Sequence, residues 1–154
     1  MHYVIDGHNL LHALRERFTA TGGDGPRWRL ARELDGVAAD PSTRVTIVFD
    51  GRRDGGSDAA WQRPGLVVVY SPADMTADTV IERLVRDAKC RADICVVTND
   101  RAERHCVEAL GAEGMSCTNF LDWVDAMGER VRQQVRRRAE REGGQTIGDF
   151  FPDA

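Results

Sequence analysis

The chain has 154 residues, of which 42% are hydrophobic and 30% charged, and its net charge is −4. This length suits one domain with a single core, and the composition excludes an intrinsically disordered chain. The uninterrupted apolar runs reach only about five residues, against the roughly 20 that a bilayer-spanning helix needs, and the first residues lack the basic segment of a signal peptide. We therefore expect a globular protein of the cytoplasm without a membrane segment.

Short β-branched runs alternate along the chain with amphipathic stretches. The runs predict strands at Val4–Ile5, Val45–Phe49, Leu66–Tyr70, Ile94–Val97 and Met115–Thr118. The amphipathic stretches predict helices over residues 8–18, 27–39, 76–91, 101–111 and 120–142. This alternation predicts an α/β fold with a mainly parallel central sheet that helices cover on both faces. Residues 1–142 form the predicted domain, including a basic last helix, and residues 143–154 form a polar tail.

The four cysteines have no spacing typical of a zinc site or a disulfide framework. Cys95 and Cys117 lie in apolar runs, where a free cysteine behaves as a small hydrophobic residue. We therefore predict free thiols, with these two buried.

Acidic residues follow three of the predicted strands. Asp6, Asp50 and Asp100 each come at or shortly after a strand end, and Asp78 lies at the start of the helix after the third strand. Because the carboxyl ends of parallel strands lie along one edge of a sheet, where ligands bind in open α/β folds, we expect these four side chains to converge.

Each acid alone also has an ordinary structural explanation. Asp6, Asp50 and Asp100 suit turns or helix N-caps, Asp100 with Glu103 resembles a capping box, and Asp78 complements a helix dipole. Together they are harder to explain, because two carboxylates about 5 Å apart repel by about 3 kcal/mol at an effective dielectric constant near 20. Protonation, water and separation, or a bound cation must relieve this repulsion. Hard oxygen ligands of this kind suit Mg²⁺ or Mn²⁺ and metal-assisted phosphoryl transfer.

The segment after the first strand adds an amide to the same edge. Asn9 lies three residues after Asp6, where it would hold a metal-bound water or a substrate phosphate, or cap the helix locally. Gly7 is expected to permit a tight turn from strand to helix. His8 is not included among the predicted catalytic residues, because metal-dependent hydrolysis does not require a separate base.

Four segments together resemble the motifs of NYN domains, in particular the YacP-like branch of the PIN-like nuclease group. The segments are Val4-Ile5-Asp6-Gly7-His8-Asn9-Leu10-Leu11, Val48-Phe49-Asp50-Gly51, Thr76-Ala77-Asp78-Thr79-Val80-Ile81 and Val97-Thr98-Asn99-Asp100. The resemblance spans residues 3 to about 125. It implies a three-layer α/β/α PIN-like sandwich, divalent-metal dependence and endoribonuclease activity on single-stranded or exposed RNA. It further implies that some relatives act on translated messages at the ribosome.

Carried over by position, the resemblance places metal-binding acids at Asp6, Asp50, Asp78 and Asp100, with Asn9 as their polar partner. The predicted mechanism uses one or two Mg²⁺ or Mn²⁺ ions held by Asp6, Asp78 and Asp100, with Asp50 contributing directly or through water. His8 departs from the family pattern, which more often has an aromatic residue or Asn there. The pattern specifies neither an oligomeric state nor an RNA target.

An acidic edge repels RNA unless cations line its rim. Arg52 and Arg53 follow Asp50-Gly51, and Arg101 follows Asp100, so these three are the predicted phosphate contacts. Trp61 is the predicted base-stacking residue, whereas Trp28 and Trp123, on helices, are expected in the core. The arginines between Arg132 and Arg141 suit either a solvated helix end or a contact to RNA or the ribosome.

Two other classes of function remain open. The first is a non-catalytic RNA- or ribosome-binding module on a PIN-like fold. The second is a small phosphoester hydrolase, although the segment Asp6-Gly7-His8 lacks the second acid of the D-x-D motif of aspartyl-nucleophile phosphatases. Glycine-rich nucleotide-binding loops are absent from the sequence.

Overall fold

The computed structural model describes residues 1–17, 26–51 and 63–143. Five strands occur in these ranges: β1 (His2–Asp6), β2 (Arg44–Phe49), β3 (Leu66–Tyr70), β4 (Ile94–Val97) and β5 (Glu113–Met115). Five α-helices accompany them, namely α1 (Gly7–Arg17), α2 (Pro26–Ala38), α3 (Ala77–Arg86), α4 (Arg101–Ala109) and α5 (Cys117–Gly143), and a short 3₁₀ turn covers Arg91–Asp93.

The strands form one sheet in the order β3-β2-β1-β4-β5, and every pair in it is parallel. From the central β1 the chain builds outward through β2 and β3, and then crosses back to place β4 on the other side of β1. The strand order therefore reverses between β1 and β4, which is where ligands bind in open parallel sheets.

Helices cover both faces of the sheet, so the predicted α/β class and three-layer arrangement are confirmed. Ile5 points into a core formed with α1, α2 and the first half of α5, and its neighbour Val4 points into a second core beneath α3 and α4. Successive strand residues alternate between the faces, and both faces are buried, which explains the continuous apolar runs.

The fifth strand was predicted in the wrong place. It covers Glu113–Met115 rather than Met115–Thr118, and Cys117 already begins α5. Two side chains start the helix there: Asn99 Oδ1 accepts from the Cys117 N–H (2.9 Å), and Ser116 Oγ accepts from the Asn119 N–H (3.1 Å). These caps satisfy backbone donors at the helix start and so favour helix over strand.

The cysteines match their prediction in the main. All four are free, with Cys95 and Cys117 buried and the other two exposed.

Trp28 and Trp123, which were expected in the core, are not core residues, since 37% of each is exposed. Trp123 packs on Tyr3 and Phe120 rather than inside the core. Among the described helices, none combines the length and the apolar character that crossing a membrane requires.

Candidate active site

The junction of β1 and α1 positions Asp6. The strand ends at Asp6 and the helix begins at the next residue, so the carboxylate lies at the helix N-terminus. Asp6 is 5% exposed, and its two oxygens accept hydrogen bonds from the Asn9 N–H (3.2 Å) and from Asn9 Nδ2 (2.8 Å). Burial raises the pKa of Asp6, and the bonds from Asn9 act in the opposite direction. Asn9 therefore fixes the orientation of the carboxylate and favours its charged form.

Gly7 is required at this junction for a different reason from the expected one. Its φ is not positive, unlike that of Gly51, Gly65 and Gly111. A Cβ atom at Gly7 would instead lie 2.5 Å from Cε1 of Phe49, which is a steric clash between two carbon atoms. The absence of a side chain lets the end of β2 approach the first turn of α1.

Asp78 reaches the site from α3, which covers the face of the sheet opposite to α1. It lies in the first turn of α3, which Thr76 caps by accepting the Thr79 N–H with its hydroxyl (3.2 Å). Burial raises the pKa of Asp78, and the charges of Asp6 and Asp100 raise it further. The acids lie close enough to interact electrostatically, since oxygens of Asp78 and Asp6 come within 4.8 Å of each other.

Asp100 is the N-cap of α4, as one of the two sequence interpretations predicted. Its Oδ1 accepts from the N–H groups of Ala102 (2.9 Å) and Glu103 (3.3 Å). The reciprocal half of the predicted capping box is wrong, because the Asp100 N–H donates to Thr98 Oγ1 (3.2 Å) and not to Glu103. The Glu103 side chain therefore does not cap the helix.

Glu103 instead points into the space between α3, α4 and β1. Only 4% of the residue is exposed, and its two carboxylate oxygens are buried without a hydrogen-bond partner in the described residues. Burial raises the pKa of Glu103 to about 8; the neighbouring Thr98 opposes this, and the charges of Asp78, Asp6 and Asp100 add to it. An unpaired buried carboxylate is costly, so this site requires either a proton or a cation.

Asp6, Asp78 and Glu103 form a compact triad. One oxygen from each carboxylate can be chosen so that all three lie within 4.8 Å of one another. Oxygen ligands of this number and hardness fit Mg²⁺ or Mn²⁺, which bind a few carboxylates and complete their coordination with water and phosphate oxygens. The unpaired oxygens of Glu103 fit either such a cation or, without metal, a proton shared with the neighbouring Asp78.

A cavity of about 290 Å³ opens at this edge of the sheet. Its lining consists of the four aspartates singled out from the sequence together with neighbouring residues: Asp6, His8, Asn9, Asp50, Thr76, Ala77, Asp78 and Asp100. Asp50 lies at the end of β2, where its Oδ1 accepts from Ser71 Oγ (3.0 Å). His8 is exposed beside it, with Nε2 3.4 Å from the Asp50 carbonyl oxygen. The structure thus brings Asp50 and Asp100 to the mouth of the cavity and Asp6 to its base.

Sequence reasoning did not identify Glu103 as a site residue. The available signal was its place in the first turn of α4, three residues after Asp100, but that same spacing predicts a capping box.

Among the predicted RNA contacts, Arg101 is exposed at the start of α4. Arg52, Arg53 and Trp61 lie outside the described residues.

Comparisons with known proteins agree with this architecture. The fold and the site together define a parallel α/β sandwich that gathers carboxylates where the strand order reverses. The chain belongs to the family of YacP-like NYN domains, whose model matches residues 3–149. It is 25% identical over 137 residues to YacP of Bacillus subtilis (strain 168), a match that covers 87% of this chain and 81% of that protein.

Solved structures show the same fold. The crystal structure of Rae1 (YacP) from Bacillus subtilis superposes with a TM-score of 0.74 at 22% identity, covering 94% of this chain and 84% of that one. A point mutant of the same protein gives a TM-score of 0.70 at 22% identity, with 90% and 83% covered. Membership of this family supports nuclease activity in general, and the acidic site is compatible with it.

Proposed function

We propose that this protein is a divalent-metal-dependent endoribonuclease that hydrolyses phosphodiester bonds in single-stranded or exposed RNA. The observation that carries the proposal is the triad of Asp6, Asp78 and Glu103, in which the two buried oxygens of Glu103 have no partner among the described residues. RNA exposed on a ribosome in the cytoplasm is a further proposed context, which rests on the family resemblance.

The three carboxylates of the triad would hold Mg²⁺ or Mn²⁺. The cation, when bound, supplies charge neutralisation on the phosphate and activation of water. Asn9 holds the Asp6 carboxylate in place through two hydrogen bonds, so the ligand does not have to reorient on binding. The sequence prediction named Asp100 as the third metal ligand beside Asp6 and Asp78. In the present proposal Glu103 takes that role.

Asp50 and Asp100 have a different proposed role. Both line the cavity and both residues are exposed, so they face the side from which a substrate and its water enter. Each is also held by its own neighbours, Asp50 by Ser71 and Asp100 by the first turn of α4. They therefore add ligands at the mouth of the site, directly or through water.

Binding of RNA needs cations near these acids. Arg101 is exposed and follows Asp100 at the start of α4. Arg101, Arg52 and Arg53 are proposed to bind phosphates, with Trp61 as a base-stacking residue. The cavity lining, as far as the described residues show it, includes neither lysine nor arginine. The phosphate contacts must therefore come from residues around the cavity rather than within it.

The decisive experiment incubates a circular RNA with the protein and Mn²⁺, because only an endonuclease can open a circle. The wild-type protein should linearise it, and Asp78→Asn should not. Asp87→Asn, at the exposed C-cap of the same helix, is the matched control and should retain activity. Several uncut circles that nevertheless bind would favour the non-catalytic binding module. Hydrolysis of a small phosphomonoester in place of RNA would favour the phosphoester hydrolase.

A further inference from the structure

The second half of α5 extends beyond the body of the protein. Every residue from Glu129 to Gly143 is exposed, whereas the first half of the helix buries Phe120, Leu121 and Val124. This projecting segment spans 15 residues, or about 22 Å at the usual rise. Isolated helices of this length are marginally stable in water, so a partner that covers the segment would stabilise it.

The projecting segment points away from the acidic cavity. Asn99, at the carboxyl end of β4, contacts the first residue of α5, and the following turns pack on Tyr3 near the amino end of β1. The helix therefore runs from the carboxyl edge of the sheet towards its amino edge and leaves the body there. Whatever the segment binds lies far from the triad.

The projecting segment and the rest of the chain carry net charges of opposite sign. Six arginines and three glutamates give it a net charge of +3, so the remaining residues together carry −7. Two of the arginines are paired within the helix, Arg132 with Glu129 (2.8 Å) and Arg138 with Glu142 (2.9 Å). The segment thus provides positive charge that the acidic body lacks.

Three arginines of the segment share one face. Arg130, Arg137 and Arg141 are spaced by seven and four residues, which aligns them along the helix over about 16 Å. They form no ion pair with any residue in the described ranges. Trp123 lies seven residues before Arg130 on the same side, with 37% of its surface exposed. We call these three arginines the arginine face.

We propose that the arginine face binds the phosphate backbone of the RNA substrate, anchoring the strand at a distance from the acidic cavity where it is cut. Guanidinium groups bind phosphate oxygens in a fork, and unpaired arginines in a row suit a polyanion. Trp123, which is 37% exposed at one end of the row, supplies an indole on which a base can stack. Pairing of the arginine faces of two copies of this chain is less suitable, because the two faces repel each other.

This anchor rests on the proposed function, since it presupposes an RNA substrate, but it concerns a separate surface. The cavity carries concentrated negative charge and, in the absence of a cation, repels RNA. Binding measured in a chelator therefore reports on cationic surfaces outside the cavity. This condition separates the anchor from the metal site.

The test measures binding of a fluorescent single-stranded RNA of about 30 nucleotides, in EDTA, as the KCl concentration rises. The triple variant Arg130→Gln, Arg137→Gln, Arg141→Gln should bind about tenfold more weakly or worse, and the slope of log Kd against log salt should fall by about 2, because three phosphate contacts are lost. The matched control removes three exposed cations elsewhere with Arg15→Gln, Arg83→Gln and Lys89→Gln. Its slope should equal that of the wild-type protein.

Two results would overturn the anchor: an unchanged slope in the triple variant, or an equal loss in the control, which would indicate net charge alone. A dimer in sedimentation that only the triple variant dissociates would also overturn it, in favour of self-association. Cleavage is scored separately with circular RNA and Mn²⁺. A wild-type protein that binds through the arginine face but cuts no circle would contradict the proposed nuclease and leave the anchor standing.

Discussion

The carboxylates of Asp78 and Glu103 approach within 4.8 Å of each other from the first turns of two neighbouring helices, α3 and α4. Neither helix brings a basic side chain to Glu103, whose oxygens have no hydrogen-bond partner in the described residues. Two acids in such proximity are stable only if one is protonated or a cation lies between them. The stability of this pair is therefore linked to pH and, under the proposed function, to divalent metal as well.

Replacing Glu103 by Gln should stabilise the metal-free protein and weaken its response to metal. The amide is neutral in both the folded and the unfolded protein, so it removes the cost of keeping a proton that the unfolded chain would release, but it is a poor ligand for Mn²⁺. In thermal unfolding, we expect a higher Tm without metal and a smaller rise on titration with Mn²⁺ than in the wild-type protein. Glu108→Gln, exposed on the same helix, should show the wild-type rise. An undiminished rise in Glu103→Gln would exclude it as a ligand.

Stability of the metal-free protein should fall as the pH rises from about 5 to 8. The pKa of Glu103 is about 8 in the folded protein against an ordinary value of 4.5, so in this range the folded state keeps a proton that the unfolded chain has released. Tm measured in EDTA should drop by about 4 °C or more across the range. The decrease should be smaller in Glu103→Gln, and a wild-type slope in that variant would contradict the assignment.

Asp100 carries two roles that different substitutions separate. Asn is as good an N-cap as Asp, so Asp100→Asn should keep the stability of α4 but lose the charge at the cavity mouth. Asp100→Ala should lose both and unfold more easily by about 1 kcal/mol. We expect reduced RNA cleavage in both variants and a lower denaturation midpoint in the alanine variant alone. Full cleavage by Asp100→Asn would restrict this residue to capping.

Asn9→Ala should impair the site without unfolding the protein. The substitution removes the bond from Asn9 Nδ2 to Asp6 (2.8 Å) but leaves the backbone N–H bond in place. Loss of a group that orients a metal ligand costs about 10- to 100-fold in metal affinity or activity. Mn²⁺ titration of Tm and RNA cleavage should both show this shift, and Asn119→Ala, exposed on α5, should show neither.

Gly7→Ala should destabilise the protein, because its methyl group would meet the ring of Phe49 at 2.5–2.9 Å. Overpacking of this kind costs about 1–3 kcal/mol, and the resulting shift would move Asp6 as well. Gly36→Ala is the matched control, because a Cβ there meets nothing within 4 Å. In the last turn of α2 it should stabilise by at most about 0.5–1 kcal/mol. Urea unfolding of both variants measures the contrast.

The chain order of strands and helices is contained in local sequence, because apolar periodicity and β-branched runs depend on neighbours along the chain. Leu66–Tyr70 and Ile94–Val97 coincide with their predicted bounds. The fifth strand was misplaced because Met115–Thr118 is apolar, while the caps at Ser116 and Asn99 act through side-chain bonds that hydrophobicity does not report. Gly7 was expected to serve a turn, but its constraint comes from Phe49, 42 residues away.

The sequence by itself determined that acids follow the strands and that a parallel sheet would gather them at one edge, since that depends only on strand direction. Which of them approach one another was decided by the tertiary structure. Glu103 enters the site because Asp100 and Thr98 satisfy the start of α4 without it, and because α3 packs beside α4 with Asp78 in its first turn. Such proximity depends on how two helices pack, and spacing along the chain does not encode it.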